Sequence, residues 1–279
     1  MLVQSAYGKS RVRLVQVRRR GDRHDLHDRT VAIQFKGHYD ESYTDGDNSA
    51  VLPTDTMKNT VYALAAREPG HTAETFGLAL ARHFLDRNPR LMRARIDVTE
   101  HLWRRLLRGE REHGTAFMRQ GPETRTACVQ ASRRRTLVGA GVADLLILKS
   151  AHSAFDHFIR DEFTTLPETR DRILATSMTA TWRYTNDGVE FDAAWHAVRR
   201  VLLETFAEHT SESVQHTLYA MGEAVLDAVS DVSHIRLVMP NKHHLPVDLR
   251  PLGLENRNEI FVPTDEPHGL IEATVARHG

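Results

Sequence analysis

One order of hydrophobic periodicities runs through this chain twice: strand, strand, helix, helix, strand, strand. Period-2 alternation marks a half-buried strand and a 3.6-residue stripe marks a helix, so the order constrains the fold before any single motif does. In the first half, residues 11–18 and 29–37 predict strands. Val12 and Leu14 lie on one face and Val15 and Val17 on the other, with Gly21-Asp22 in the turn. A helix over 56–67 stops at Pro69-Gly70. A second begins after Thr72, aligns Phe76, Leu80 and Phe84, and ends at Asn88-Pro89. Met92, Ala94, Ile96 and Val98 alternate with Arg93, Arg95, Asp97 and Thr99 as a strand with one apolar face, and residues 114–138 supply the next strand.

The second half repeats the plan. Residues 145–148 and 179–184 predict strands, separated by an insertion over 150–174. Phe191, Ala194, Trp195, Val198, Leu202 and Phe206 mark one amphipathic helix; Val214, Leu218, Met221 and Val225 mark another. Ile235, Leu237 and Met239 alternate, and residues 260–262 and 273–275 end the chain as strands. Antiparallel sheets with helices on one face make an α+β fold. The expected division is 1–138 and 139–279. An open four-stranded unit leaves edges that need partners.

Composition removes several function classes. Lys plus Arg and Asp plus Glu are both 37, so nucleic-acid binding has no electrostatic footprint. The local runs Arg18-Arg19-Arg20 and Arg133-Arg134-Arg135 read as solvated strand ends or subunit contacts. The one cysteine, Cys128, forms neither an intramolecular disulfide nor a thiolate zinc site and reads as a small buried residue. No apolar run approaches membrane-spanning length. The pairs His24/His27 and His243/His244 lack cysteine or carboxylate companions at ligand spacing, so no metal is expected. Glycine-rich nucleotide turns and a His-Glu-x-x-His pair are also missing.

Two short polar runs stand at the ends of regular elements, where sites usually sit. Thr54-Asp55-Thr56-Met57-Lys58-Asn59-Thr60 follows a loop rich in Asp, Ser and Gly and opens a helix. Pro240-Asn241-Lys242-His243-His244 closes a strand-like alternation. With them go Tyr7-Gly8-Lys9, Leu148-Lys149-Ser150, Phe155, Arg160-Asp161-Glu162-Phe163-Thr164-Thr165-Leu166, Asp171-Arg172-Ile173-Leu174 and Ser213-Val214-Gln215. In this order and at these separations the chain resembles the urate oxidase (uricase) family over nearly its whole length.

The resemblance implies two tandem tunnelling-fold units per chain, whose sheets join across subunits into a β-barrel tunnel in a homotetramer. It implies cofactor-free oxidation of urate by dioxygen and water to 5-hydroxyisourate and hydrogen peroxide. The site would draw on two subunits, with a proton relay from one and a urate clamp from the other. Lys9, Thr54 and His243 match the family's relay. Arg172, Gln215 and Phe155 match its clamp: a guanidinium fork, an amide and a stacking ring suit a flat anionic purine. Leu166 matches a pocket wall, and Asp55 and Val214 match positions that use backbone N–H groups. Thr54 and Asn241 would cradle oxygen, peroxide or water. The C-terminal Ala276-Arg277-His278-Gly279 is not a Ser-Lys-Leu address, which points to a cytoplasmic, bacterial member.

Each residue also has a plain structural reading: Arg172 a surface ion pair, Phe155 core, Gln215 a solvated first-turn residue, Lys9 a strand lysine, Thr54 a helix cap, Asn241 a turn residue, His243 a surface histidine. Two other functions stay open. One is a tunnelling-fold enzyme acting on pterins or GTP, which grips its heterocycle with glutamate, often with zinc. The other is a non-catalytic purine-binding oligomer.

Overall fold

The computed structural model describes residues 2–67 and 72–277. Among the described residues, eight strands and five α-helices follow the order β1 (Tyr7–Arg20), β2 (Arg23–Gly37), α1 (Asp40–Thr44), α2 (Thr54–Arg67), α3 (Ala73–Arg87), β3 (Leu91–Arg108), β4 (Arg111–Ala131), β5 (Thr136–Lys149), β6 (Leu174–Tyr184), α4 (Phe191–Glu208), α5 (Val214–Ala228), β7 (Val232–Pro246) and β8 (Phe261–Ala276), with a 3-10 turn at Arg250–Leu252. The strands are hydrogen-bonded in chain order from β1 to β8. The ladders β1–β2, β2–β3, β3–β4 and β7–β8 are antiparallel. The class is therefore α+β, as the periodicities predict. The stop expected at Pro69-Gly70 and the terminal His278-Gly279 lie outside the described residues. No described helix is long and apolar enough to cross a membrane.

The chain divides into two compact units, residues 1–141 with 183–195, and 142–182 with 196–279. In the first, α3 packs on β3 and β4 and α2 on β1. Its core is Val31, Ile33 and Phe35 of β2, Ala94, Ile96 and Val98 of β3, and the predicted stripe Phe76, Leu80 and Phe84 of α3, all buried. In the second, α5 packs on β7 and β8. Ile235, Leu237 and Met239 meet the stripe Val214, Leu218, Met221 and Val225, again all buried.

The long helices of the two units start and stop by the same chemistry. Thr72 caps α3 by accepting from Thr75 N–H, and Ser213 caps α5 by accepting from His216 N–H. At the other end an arginine gathers carbonyls that have no helical donor. The Arg133 guanidinium donates to Leu85 O (2.9 Å), Asn88 O (3.0 Å) and Leu91 O (2.7 Å). Arg277 donates to Leu226 O, Val229 O (3.0 Å) and Val232 O (3.0 Å). Arg133 is exposed beyond the end of β4, in keeping with a solvated strand end, and it also closes a helix.

Four expectations need correction. Residues 114–138 are not one strand: β4 and β5 are separated by a turn in which Ser132 Oγ accepts from the N–H groups of Arg134 and Arg135. Met92 is exposed although its alternation places it inward. The β2–β3 register shifts between Lys36 and Gly37, and this irregularity turns Leu91 into the core instead. The two terminal strands are one, β8, whose pairing with β7 breaks register between Asn241 and His243. Cys128 is half-buried on β4, not fully buried, and burial pushes its thiol up to about 11.

Candidate active site

The first unit brings Lys9, Thr54 and Asp55 into one neighbourhood. Tyr7, two residues before Lys9, is wedged edge-on against Phe35 and Tyr39, and its hydroxyl accepts from Leu52 N–H at 3.1 Å. That bond ties the loop before α2 to the start of β1, so Lys9 and Thr54 share an anchor 45 residues apart in sequence. At Gly8 the strands approach so closely that a Cβ would lie 1.8 Å from Ile33 O, which only glycine permits. Thr54 opens α2, Met57 N–H donates to Pro53 O, and the Thr54 hydroxyl has no hydrogen-bond partner among the described residues. The exposed Asp55 carboxylate accepts from Lys58 and from Asn59 (3.0 Å). The Lys58 hydrogen bond and charge, with Lys9 as a smaller contributor, hold its pKa below the ordinary carboxylate value.

The second unit brings together Phe155, Arg172, Val214 and Gln215 through a small ladder inside the predicted insertion. Phe155 and Thr169 exchange both backbone hydrogen bonds (2.7 and 3.1 Å), and Arg172 N–H donates to Ser153 O at 2.9 Å. Ser211 joins the same segment: Ala154 N–H donates to Ser211 O and Ser211 N–H donates to His152 O. Two residues later Ser213 caps α5. One backbone frame therefore sets a ring, a guanidinium and a helix N-terminus. The Arg172 guanidinium lies over the Phe155 ring, 5.3 Å from its centroid. Burial lowers its pKa, Nε is buried without a partner, and no carboxylate pairs with it among the described residues. The N–H groups of Val214 and Gln215 have no acceptor among the described residues, as expected of a helix's first turn. The Gln215 side chain is exposed.

Asn241 and His243 straddle the β7–β8 register break. Asn241 is 9% exposed. The pKa of His243 is lowered, first by burial, then by the charges of Arg172 and His268. His243 therefore stands in the same unit as Arg172, within reach of its charge. Lys9 and Thr54 lie in the other unit. Leu166, expected as a pocket wall, is 53% exposed. Among the described residues no group of three or more His, Cys, Asp or Glu is placed to hold a metal ion.

Two residues with no role in the sequence reading emerge. Tyr7 and Lys149 stand in the matched runs Tyr7-Gly8-Lys9 and Leu148-Lys149-Ser150 without an assigned role, because an anchoring hydroxyl or ammonium shows no local pattern; its partners lie 45 to 60 residues away.

A protein-family model described as Uricase matches residues 5–130 and 138–272. The uricase of Arthrobacter globiformis is 44% identical over all of this chain and 91% of its own length. That of Danio rerio is 37% identical over 99% of this chain and 94% of its own. The crystal structure of the Arthrobacter globiformis uricase superposes with a TM-score of 0.95, covering 100% of this chain and 96% of that one. The chain belongs to the uricase family.

Proposed function

We propose that this chain is a urate oxidase, converting urate, dioxygen and water to 5-hydroxyisourate and hydrogen peroxide without a cofactor. The observation that carries the reading is Arg172: a half-buried cation stacked over Phe155, with no carboxylate of its own and framed with the open N-terminus of α5. A planar anion satisfies all three at once. Its ring stacks on Phe155, its charge meets the guanidinium fork, and its carbonyl edge accepts from Val214 N–H and the Gln215 amide. Leu166 forms a further wall of the pocket.

Urate supplies the electrons itself. Loss of a second proton makes a dianion that passes one electron to dioxygen and relieves the spin mismatch. The radical pair combines at C5 as a peroxide, and water then displaces hydrogen peroxide. The protein's share is to move protons and to hold oxygen or water above the ring. Lys9, Thr54 and His243 form the relay. A threonine hydroxyl both donates and accepts, and a neutral histidine accepts near working pH. Thr54 and Asn241 hold dioxygen, peroxide or water, and the backbone of Asp55 supports the purine edge.

Residues 1–138 and 139–279 form two tunnelling-fold units. Subunits join as a cytoplasmic homotetramer whose barrel tunnel places Lys9, Thr54 and Asp55 of one subunit against the clamp, Asn241 and His243 of another. The recurring helix closures by Arg133 and Arg277 support the doubled plan. A pterin or GTP enzyme needs an acidic anchor at the start of the helix; here that position is Gln215.

The test is urate turnover by protein dialysed against excess chelator. Urate absorbance should fall with matched oxygen uptake and peroxide release. Activity that is lost and then restored by one added metal would overturn the cofactor-free reading.

A further inference from the structure

We infer that Lys149 is a positioning residue for the substrate clamp, acting through the link between α4 and α5; this rests on the urate-oxidase reading. Lys149 is the last residue of β5, and its ammonium donates to three carbonyls, Phe206 O (3.3 Å), Ala207 O (3.4 Å) and His209 O (2.5 Å). No carboxylate pairs with it among the described residues. Two of these carbonyls belong to the final turn of α4, where acceptors lack helical donors and the dipole favours a cation. The third belongs to the first residue beyond α4, so the ammonium pins the start of the link.

That link is short and bonded at His209, Ser211 and Ser213. His209 N–H donates to Thr205 O, Ser211 pairs with the 152–154 segment, and Ser213 caps α5. Val214 and Gln215 follow at once. The chain leaving Lys149 in the other direction becomes the same ladder's other side, carrying Ser153, whose carbonyl holds Arg172 N–H, and then Phe155. Lys149 thus sits where the two limbs of the clamp diverge, the Phe155–Arg172 limb and the Gln215 limb. Three convergent oxygens suit a compact ammonium with three donors better than a planar guanidinium.

The test is anaerobic urate titration with steady-state kinetics on Lys149→Met, Lys149→Arg, Gln215→Ala and the Lys149→Met/Gln215→Ala pair. Lys149→Met should weaken urate binding and raise KM about tenfold, with a smaller fall in kcat, because the misplaced clamp acts on binding. Lys149→Arg should fold and bind urate several-fold more weakly than wild type. The double variant should lose less than the product of the two single losses, because part of the Lys149→Met loss acts through Gln215. Wild-type affinity in Lys149→Arg, or losses that multiply in the pair, would overturn the inference even if Lys149→Met fails to fold. Wild-type protein that binds no urate would overturn the function itself and this inference with it.

Discussion

Glu74 and Gln215 hold the same place in two helices, the second residue of a fifteen-residue helix capped by Thr72 or Ser213, and are used in opposite ways. Glu74 is fully buried and receives Arg125 at 2.9 Å, whose other nitrogen donates to Asp192 at 2.6 Å and whose guanidinium lies over Trp195. The start of α3 is thereby filled by the protein's own cation. Gln215 is exposed, and the start of α5 keeps free donors. One helix start is closed by an ion pair and the other keeps its donors free.

The clamp should respond to single truncations. Arg172→Ala removes a charge-assisted fork and should cost roughly 1.5–3 kcal/mol of urate binding. Gln215→Ala should cost about 0.5–1.5 kcal/mol, the range of a neutral hydrogen bond. Anaerobic titration checks both. Unchanged affinity would return either residue to an ordinary surface role.

Lys9→Met and Thr54→Ala should each slow turnover strongly with little change in urate affinity, because they serve the chemistry rather than the clamp. The double variant should be little slower than the worse single one, since a broken relay is not broken twice. Multiplying losses would show that the two act independently.

His243 sets a pH expectation. Its pKa lies below the ordinary 6.5, because burial and the nearby charges of Arg172 and His268 disfavour the imidazolium. The ring is therefore neutral above 6.5, and activity that needs it neutral should fall only as pH drops through the lowered value. His243→Gln should remove that acid limb. Arg172→Gln should raise the ring's titration toward 6.5 in the free protein, read by nuclear magnetic resonance. A ring titrating unchanged in Arg172→Gln would contradict the coupling.

The helix closures predict matched stability losses. Arg133→Ala and Arg277→Ala each remove three hydrogen bonds to carbonyls, of which Asn88 O and Val229 O keep a backbone donor, and should each lower unfolding free energy by about 1–2 kcal/mol. Denaturant unfolding measures it. A loss in one and none in the other would mean the two closures are not equivalent in energy.

Much of this fold was legible because burial enforces periodicity. Phe76, Leu80 and Phe84, and Ile235, Leu237 and Met239, lie inward as their spacing requires. The misreadings fall where hydrogen bonding overrides alternation. Met92 turns outward at a register shift, and Ser132 folds a turn out of a strand-like run. The candidate site was legible only through the resemblance. Phe155 and Arg172 are neighbours because of a ladder within an irregular insertion, which no period describes. The placement of His243 beside Arg172 depends on where β7 meets that insertion, 71 residues later, and local sequence carries no trace of it.

The division of the site between subunits is the account's central claim, and complementation tests it most directly. Lys9→Met and Arg172→Ala subunits, each far less active than wild type at subsaturating urate, are to be co-expressed with different affinity tags and mixed oligomers isolated. Sites pairing an intact Lys9 from one subunit with an intact Arg172 from another should oxidise urate, restoring a measurable fraction of wild-type turnover. Mixed oligomers that form but stay inactive would contradict it.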